Sequence, residues 1–212
     1  MRTTTRFTLT IALCLTGLAE HSAAQLGNNT EVLNPNLAQA KQLTAVTPMT
    51  EAMVSTLVAA RPLASNQQMD QLLSPLLSDE ARAKVRGQVF LPVNLNTATE
   101  QELHLVPGIN RKMVHEFEEY RPYTSLEQFR KEMGKYVSAE EVARYEQYVF
   151  IPLDLNSASS EALASIPGMN RKMVHEFEEY RPYTSMDQFR REIGKYVDEN
   201  EVARLERYVI IR

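Results

Sequence analysis

The sequence predicts an all-α protein built from three tandem units of about sixty residues, the first of them degenerate. Three observations predict it. The chain aligns with itself, without a gap, at an offset of sixty residues. Apolar residues recur at helical spacing behind Ser, Thr and Asp residues placed as N-caps. Pro and Gly punctuate each unit at fixed places, leaving no stretch long enough for a large sheet.

At the N-terminus, Arg2 and Arg6 precede the apolar run Phe7 to Leu18, and Ser22-Ala23-Ala24 offers small residues before Gln25. Residues 1–24 therefore read as a secretory signal peptide cleaved after Ala24. A lipoprotein signal at Ile11-Ala12-Leu13-Cys14 is the weaker alternative, since Leu13 is a poor residue before the cysteine. The mature chain is expected in the periplasm or secreted, without membrane insertion after cleavage. A polar tail covers 25–32, and the units follow at 33–92, 93–152 and 153–212.

The two later units match most closely. Val93-Asn94-Leu95-Asn96 aligns with Leu153-Asp154-Leu155-Asn156, and Asn110 to Ser125 is identical to Asn170 to Ser185. The first unit preserves the apolar pattern through Leu43, Val46, Met53 and Val54, and also keeps Arg61-Pro62 and Val89-Phe90-Leu91-Pro92.

Each unit reads as four short helices. Thr99-Glu100-Gln101-Glu102 is a capping box opening a helix that carries Leu103 and Val106. A second helix runs from Arg111 to Tyr120 with Met113, Val114 and Phe117 inward, and stops because Arg121 precedes Pro122. Ser125…Gln128 and Ser138…Glu141 read as further capping boxes, with Ser185…Gln188 and Asp198…Glu201 as their counterparts. Gly108, Gly134, Gly168 and Gly194 mark the turns, where positive φ is expected. The apolar connections Phe90-Leu91-Pro92 and Phe150-Ile151-Pro152 predict units packed end to end.

Pro107-Gly108-Ile109-Asn110-Arg111-Lys112, repeated as Pro167-Gly168-Met169-Asn170-Arg171-Lys172, carries the candidate chemistry. A Pro-Gly turn leading two basic residues into a helix gathers free N–H groups, a helix N-terminus and positive charge, which suits an anion. The bland alternative is a tight turn followed by a solvated face, with Glu116, Glu118 and Glu119 close behind. The first unit has Thr47-Pro48-Met49-Thr50-Glu51 there and lacks the device. Formal charge is −4 overall, and −5 once Arg2, Arg6 and Glu20 leave with the signal; this is not the basic excess of a dedicated polyanion binder. Cys14 is the one cysteine, so the mature chain has no disulfide or thiolate metal site.

Asn94-Leu95-Asn96-Thr97-Ala98, Glu102-Leu103 and Val106-Pro107-Gly108-Ile109 resemble the helix-hairpin-helix domain of ComEA-type competence proteins, as do Leu155-Asn156-Ser157-Ala158 and Ile166-Pro167-Gly168-Met169. The resemblance implies DNA-backbone binding without sequence preference, possible in DNA uptake, through Gly108, Ile109, Asn110, Arg111 and Lys112 and through Gly168, Met169, Asn170, Arg171 and Lys172. Asn110 and Asn170 stand where that family has a second glycine, and Asn tolerates the left-handed region. The fold is shared with the PsbU extrinsic subunit of photosystem II, which Arg121-Pro122-Tyr123-Thr124-Ser125-Leu126 resembles and whose role is structural.

Other residues read as structural. His115–Glu119 begins like a zinc helix but has Glu where the second His belongs, so a surface pair is expected. Tyr120, Tyr123, Tyr136 and Tyr148 recur within the units and fit packing better than base stacking. No motif for catalysis, metal or cofactor is present, so the expectation is a non-enzyme with no cofactor. Double-stranded DNA is the leading partner; an extracytoplasmic protein partner, or a structural subunit's place in a complex, is the alternative.

Overall fold

The computed structural model describes residues 31–212. The signal-peptide reading and nearly all of the polar tail thus lie outside the described residues. The chain is mostly helical, and its helices come in three successive sets of four. The first set is α1 (Ala40–Thr44), α2 (Glu51–Ala59), α3 (Asn66–Leu73) and α4 (Asp79–Arg86). The second is α5 (Glu100–His104), α6 (Arg111–Glu119), α7 (Leu126–Met133) and α8 (Ala139–Glu146). The third is α9 (Ser160–Ala164), α10 (Arg171–Glu179), α11 (Met186–Ile193) and α12 (Glu199–Glu206). No helix of the described residues is long and apolar enough to cross a membrane.

The helical expectation holds, with two short strand pairs beside the helices. β1 (Val93–Asn94) pairs in parallel with β2 (Val149–Phe150), and β3 (Leu153–Asp154) with β4 (Val209–Ile210). A single parallel bridge joins Leu33 to Val89. The extended chain entering each set must satisfy its own peptide groups, and the chain leaving the set supplies them: Val93 donates to Tyr148 O and Leu95 to Phe150 O.

Two sequence signatures recognise each other across each set. The Asn96 side chain donates to Tyr123 O (2.9 Å) and accepts from Tyr123 N (2.6 Å), replacing a ladder pair. Arg121 donates to Leu95 O and Ala98 O. Asn156 and Arg181 repeat these bonds on Tyr183, Leu155 and Ala158. In the first set, Asn36 bonds Leu63 in the same way and Arg61 donates to Ala38 O.

The N-cap residues are where the sequence placed them. Thr99 and Glu102 form a reciprocal box, and each such cap is worth about 1 kcal/mol. The other boxes are corrected. Ser125 and Ser138 cap with their hydroxyls, but Gln128 accepts from Thr124 N, one residue before the cap. The Glu141 carboxylate is taken by Arg144 instead. The turn glycines also divide. Gly108 and Gly168 have φ of 70° and 77°, whereas Gly134 and Gly194 are ordinary right-handed C-caps. These two are glycine for space: a Cβ would lie 2.9 Å from Arg130 O and 2.7 Å from Arg190 O, respectively.

Aromatic edges fill the later cores. Phe117 meets Phe129 and Tyr145 edge-on at 5.1 and 5.4 Å, and Phe177 meets Phe189 at 5.2 Å. The first core uses Leu57, Leu63, Met69 and Val85 at the corresponding places. Adjacent sets are joined by Phe90 on Tyr148 and Phe150 on Tyr208. These contacts are the end-to-end packing the connections predicted, and the third set in addition returns onto the first. Arg207 donates to Ala64 O and Pro92 O, and Asn34 donates to the Tyr208 hydroxyl. A terminal set with its own polar outer face was not required once both ends could bury each other.

Candidate anion-binding hairpins

The α5–α6 and α9–α10 turns bring together the residues singled out from sequence. Ile109 N closes the turn onto Val106 O at 3.2 Å, and Met169 N closes its counterpart onto Ile166 O at 2.9 Å. Asn110 and Asn170 are not left-handed, as the resemblance implied. They are extended N-caps whose side-chain oxygens accept from Met113 N and Met173 N. The reason is local: the helix start needs an acceptor more than the turn needs a second positive φ, which Gly108 already supplies.

The cap leaves several donors over. The N–H groups of Gly108, Asn110, Arg111 and Lys112 find no acceptor among the described residues, and neither do those of Gly168, Asn170, Arg171 and Lys172. Arg111 and Arg171 are exposed and make no ion pair among the described residues. Lys112 is turned aside, its ammonium 5.0 Å from the Tyr136 ring, with Lys172 at 5.2 Å from Tyr196. Guanidinium charge and open amides thus face solvent together at the turn, and the lysine flanks them.

The recurring tyrosines pack as expected, to different depths. Tyr123 and Tyr148 are buried, but Tyr120 and Tyr136 are half-exposed, with their hydroxyls 2.8 Å apart. Lys135 lies over the Tyr120 ring at 4.8 Å. The hydroxyl of Tyr136 is pushed up from its ordinary pKa by the hydrogen bonds of Tyr120 and Glu116, so it stays protonated.

Sequence reasoning missed the residue that holds the turn from behind. Arg144 of α8 donates through Nη1 to Pro107 O. Its Nε and Nη2 grip Glu141 at 2.8 and 2.5 Å, and its guanidinium lies over the Tyr145 ring at 4.5 Å. That fork holds the Glu141 carboxyl below its ordinary range. The guanidinium so fills the space behind Gly108 that a Cβ there would stand 2.9 Å from Nη2. Arg204, Glu201 and Pro167 repeat the arrangement behind Gly168.

One signal was available. Glu141…Arg144 and Glu201…Arg204 recur, while the first set has Ala81 and Lys84 at those places, together with Thr47-Pro48 in the turn. Pro48 has no N–H to offer where Gly108 has one, and Glu51 opens the following helix with a negative charge where Arg111 is positive, so the first turn has one donor fewer and the wrong charge for an anion.

Two histidines lie beside carboxylates and a third does not. His175 pairs with Glu179 at 2.9 Å and His104 with Glu100 at 3.4 Å, whereas His115 and Glu119 do not reach ion-pair distance. Among the described residues no group of three or more His, Cys, Asp or Glu converges as for a metal.

No curated protein and no solved structure matches the chain. A family model does match, over residues 88–135, and its description is helix-hairpin-helix motif, a motif that commonly binds nucleic acid. The matched stretch holds the entire Gly108 hairpin, from the α5 cap through α6 into α7.

Proposed function

We propose that this chain binds the phosphate backbone of double-stranded DNA through its hairpins, without reading base sequence. One observation carries the reading: four backbone N–H groups and an arginine, all without a partner among the described residues, stand together on the Gly108 turn, within the matched motif. Amides at a helix N-terminus recognise phosphate oxygens by geometry, and phosphate contacts position a protein without reading sequence. The three helix sets are read as copies of one unit, armed only in the last two. The chain is read as non-enzymatic, exported by a cleaved signal peptide, and suited to capturing DNA outside the cytoplasm.

The acidic balance does not defeat this. Solution ions screen Glu118 and Glu119 beyond roughly 8–10 Å, so a basic tip acts locally. If both hairpins neutralise about four phosphates, log K falls with log salt at roughly −3.6; one hairpin alone gives about −1.8. Fluorescence anisotropy of residues 25–212 with labelled duplex, titrated in salt, tests the proposal. The R111E/R171E variant should lose binding. Equal binding by that variant, or no binding by the wild type at low salt, would sink the DNA reading.

A protein partner is the second reading, favoured by one feature. A groove of about 760 Å³ between α11 and α12 is lined by Val197, Val202 and Ala203 together with Arg190, Arg191 and Glu199. Loss of the DNA signal together with a retained pull-down through this groove would move the assignment there.

A further inference from the structure

Where the third set folds back on the first, the chain half-buries a guanidinium that makes no ion pair among the described residues, with the Glu102 carboxylate its nearest acidic neighbour at the cavity wall. Arg207 follows α12, and neither of its counterparts in the other sets, Gln147 and Gly87, carries charge. Its Nη1 donates to Ala64 O at 2.5 Å and its Nη2 to Pro92 O at 3.1 Å. Its Nε is buried without any partner, and Arg207 makes no ion pair among the described residues. Burial pushes its pKa down from the ordinary value, though a guanidinium stays charged in any protein setting. A guanidinium drawn partly out of water with its Nε buried and unpartnered still has donor capacity that two carbonyls satisfy only in part.

The arginine lines a cavity of about 220 Å³ at the meeting point of the three sets. The other walls bring donors. Ser65 and Asn66 present the N-terminus of α3, whose first two N–H groups, on Asn66 and Gln67, have no acceptor among the described residues. From the second set come Thr97 and Asn94. The Asn94 oxygen accepts from Asn96 N, which leaves its NH₂ free, whereas Asn34, its counterpart, donates to Tyr208. One carboxylate stands at the wall, that of Glu102, and it already accepts from Thr99 N and the Thr99 hydroxyl. Guanidinium, helix N-terminus and side-chain amide all want the same missing thing.

We infer that this junction cavity is a binding site for one small tetrahedral oxyanion of the phosphate class, with Arg207 as its principal ligand. The anion would complete the Arg207 pairing and tie all three sets through a single ion. This site lies apart from both hairpins and does not depend on their binding DNA.

The full chain is titrated with inorganic phosphate at constant ionic strength, by calorimetry and by thermal unfolding. Saturable one-site binding is expected, with a rise in Tm that follows occupancy. R207M should abolish it. N94A/T97V, which leaves the Arg207 clasp in place, should weaken it by about tenfold, the worth of a charge-assisted hydrogen bond, with an unchanged circular dichroism spectrum. E102Q should tighten it roughly two- to fivefold, the size of one screened charge. R111E/R171E should leave it unchanged. No saturable binding, undiminished binding by both R207M and N94A/T97V, or loss of binding in R111E/R171E would overturn the assignment.

Discussion

The Gly108 and Gly168 hairpins share the same residues from Asn110 and Asn170 onward, yet they sit in different surroundings. At Gly108 the three atoms nearest to where a Cβ would stand all belong to Arg144, whose side chain is 31% exposed. Around Gly168 the Leu37 side chain of the first set also presses in, 3.0 Å from where a Cβ would stand, and Arg204 is only 5% exposed. The contrast separates two levels of cause. Local sequence builds the turn, its cap and its spare amides, twice and identically. The fold-back of the third set decides how freely each turn meets solvent. One hairpin is an open device and the other is also part of a seam.

The largest expected difference lies in the arginines behind the turns. R204M strips a buried guanidinium from Glu201 and Pro167 O and should cost about 3 kcal/mol, the loss seen when one partner of a buried pair is removed. R144M removes a partly solvated copy of the same fork and should cost about 1 kcal/mol. Urea unfolding of the two variants measures both. Equal losses would break the claim that the surroundings differ.

DNA binding comes next. Under the proposed function R111E should weaken duplex binding by about 1.5–3 kcal/mol, the worth of hydrogen bonds to a charged group. R171E should cost less, because its turn is flanked by the first set. Anisotropy titrations of the single variants decide it, and a larger loss for R171E would reverse the ranking. L37A then sharpens the test, since shortening Leu37 should raise the cost of R171E toward that of R111E.

A smaller effect attends the glycines themselves. G108A and G168A each force a Cβ into positive φ, about 1–2 kcal/mol. G168A should sit at the high end, because buried Arg204 and Leu37 have less room to retreat than Arg144. Thermal unfolding gives the order.

Legibility in the sequence followed the range of the interaction. The caps at Thr99, Ser125 and Asp198 were readable because a helix start is decided within four residues. The turn at Gly108 was readable for the same reason. Asn96 and Arg121 were visible as repeated letters, but their meaning was not, since each acts on backbone more than twenty residues away. Arg144 reaches across 37 residues to Pro107, and no helical period announces such a contact. The return of the third set depends on Arg207 and Tyr208 meeting the first set, residues whose role exists only once all three sets are folded. Reading Asn110 as left-handed failed because a resemblance in position was taken for a resemblance in φ, when the free donor of Met113 decided the matter.

The smallest effect is a pH dependence behind the Gly108 hairpin. Hydrogen bonds from Arg144 depress the folded-state pKa of Glu141 below its ordinary value. A depressed carboxylate contributes stability above its unfolded pKa, about 4.3, and loses that contribution as pH falls through the lower folded value. Acid therefore releases the Arg144 fork, and with it the grip on Pro107 O, without touching the amides of the turn. Because Glu141 and Arg144 are each about one-third exposed (33% and 31%), solvent screening holds the effect below about 1 kcal/mol. Unfolding free energies of wild type and E141Q should differ at pH 7, and the gap should narrow steadily as pH falls below the unfolded carboxylate value of about 4.3. A gap that does not narrow on acidification would mean that Glu141 acts through packing, and that charge is not what pins the open hairpin.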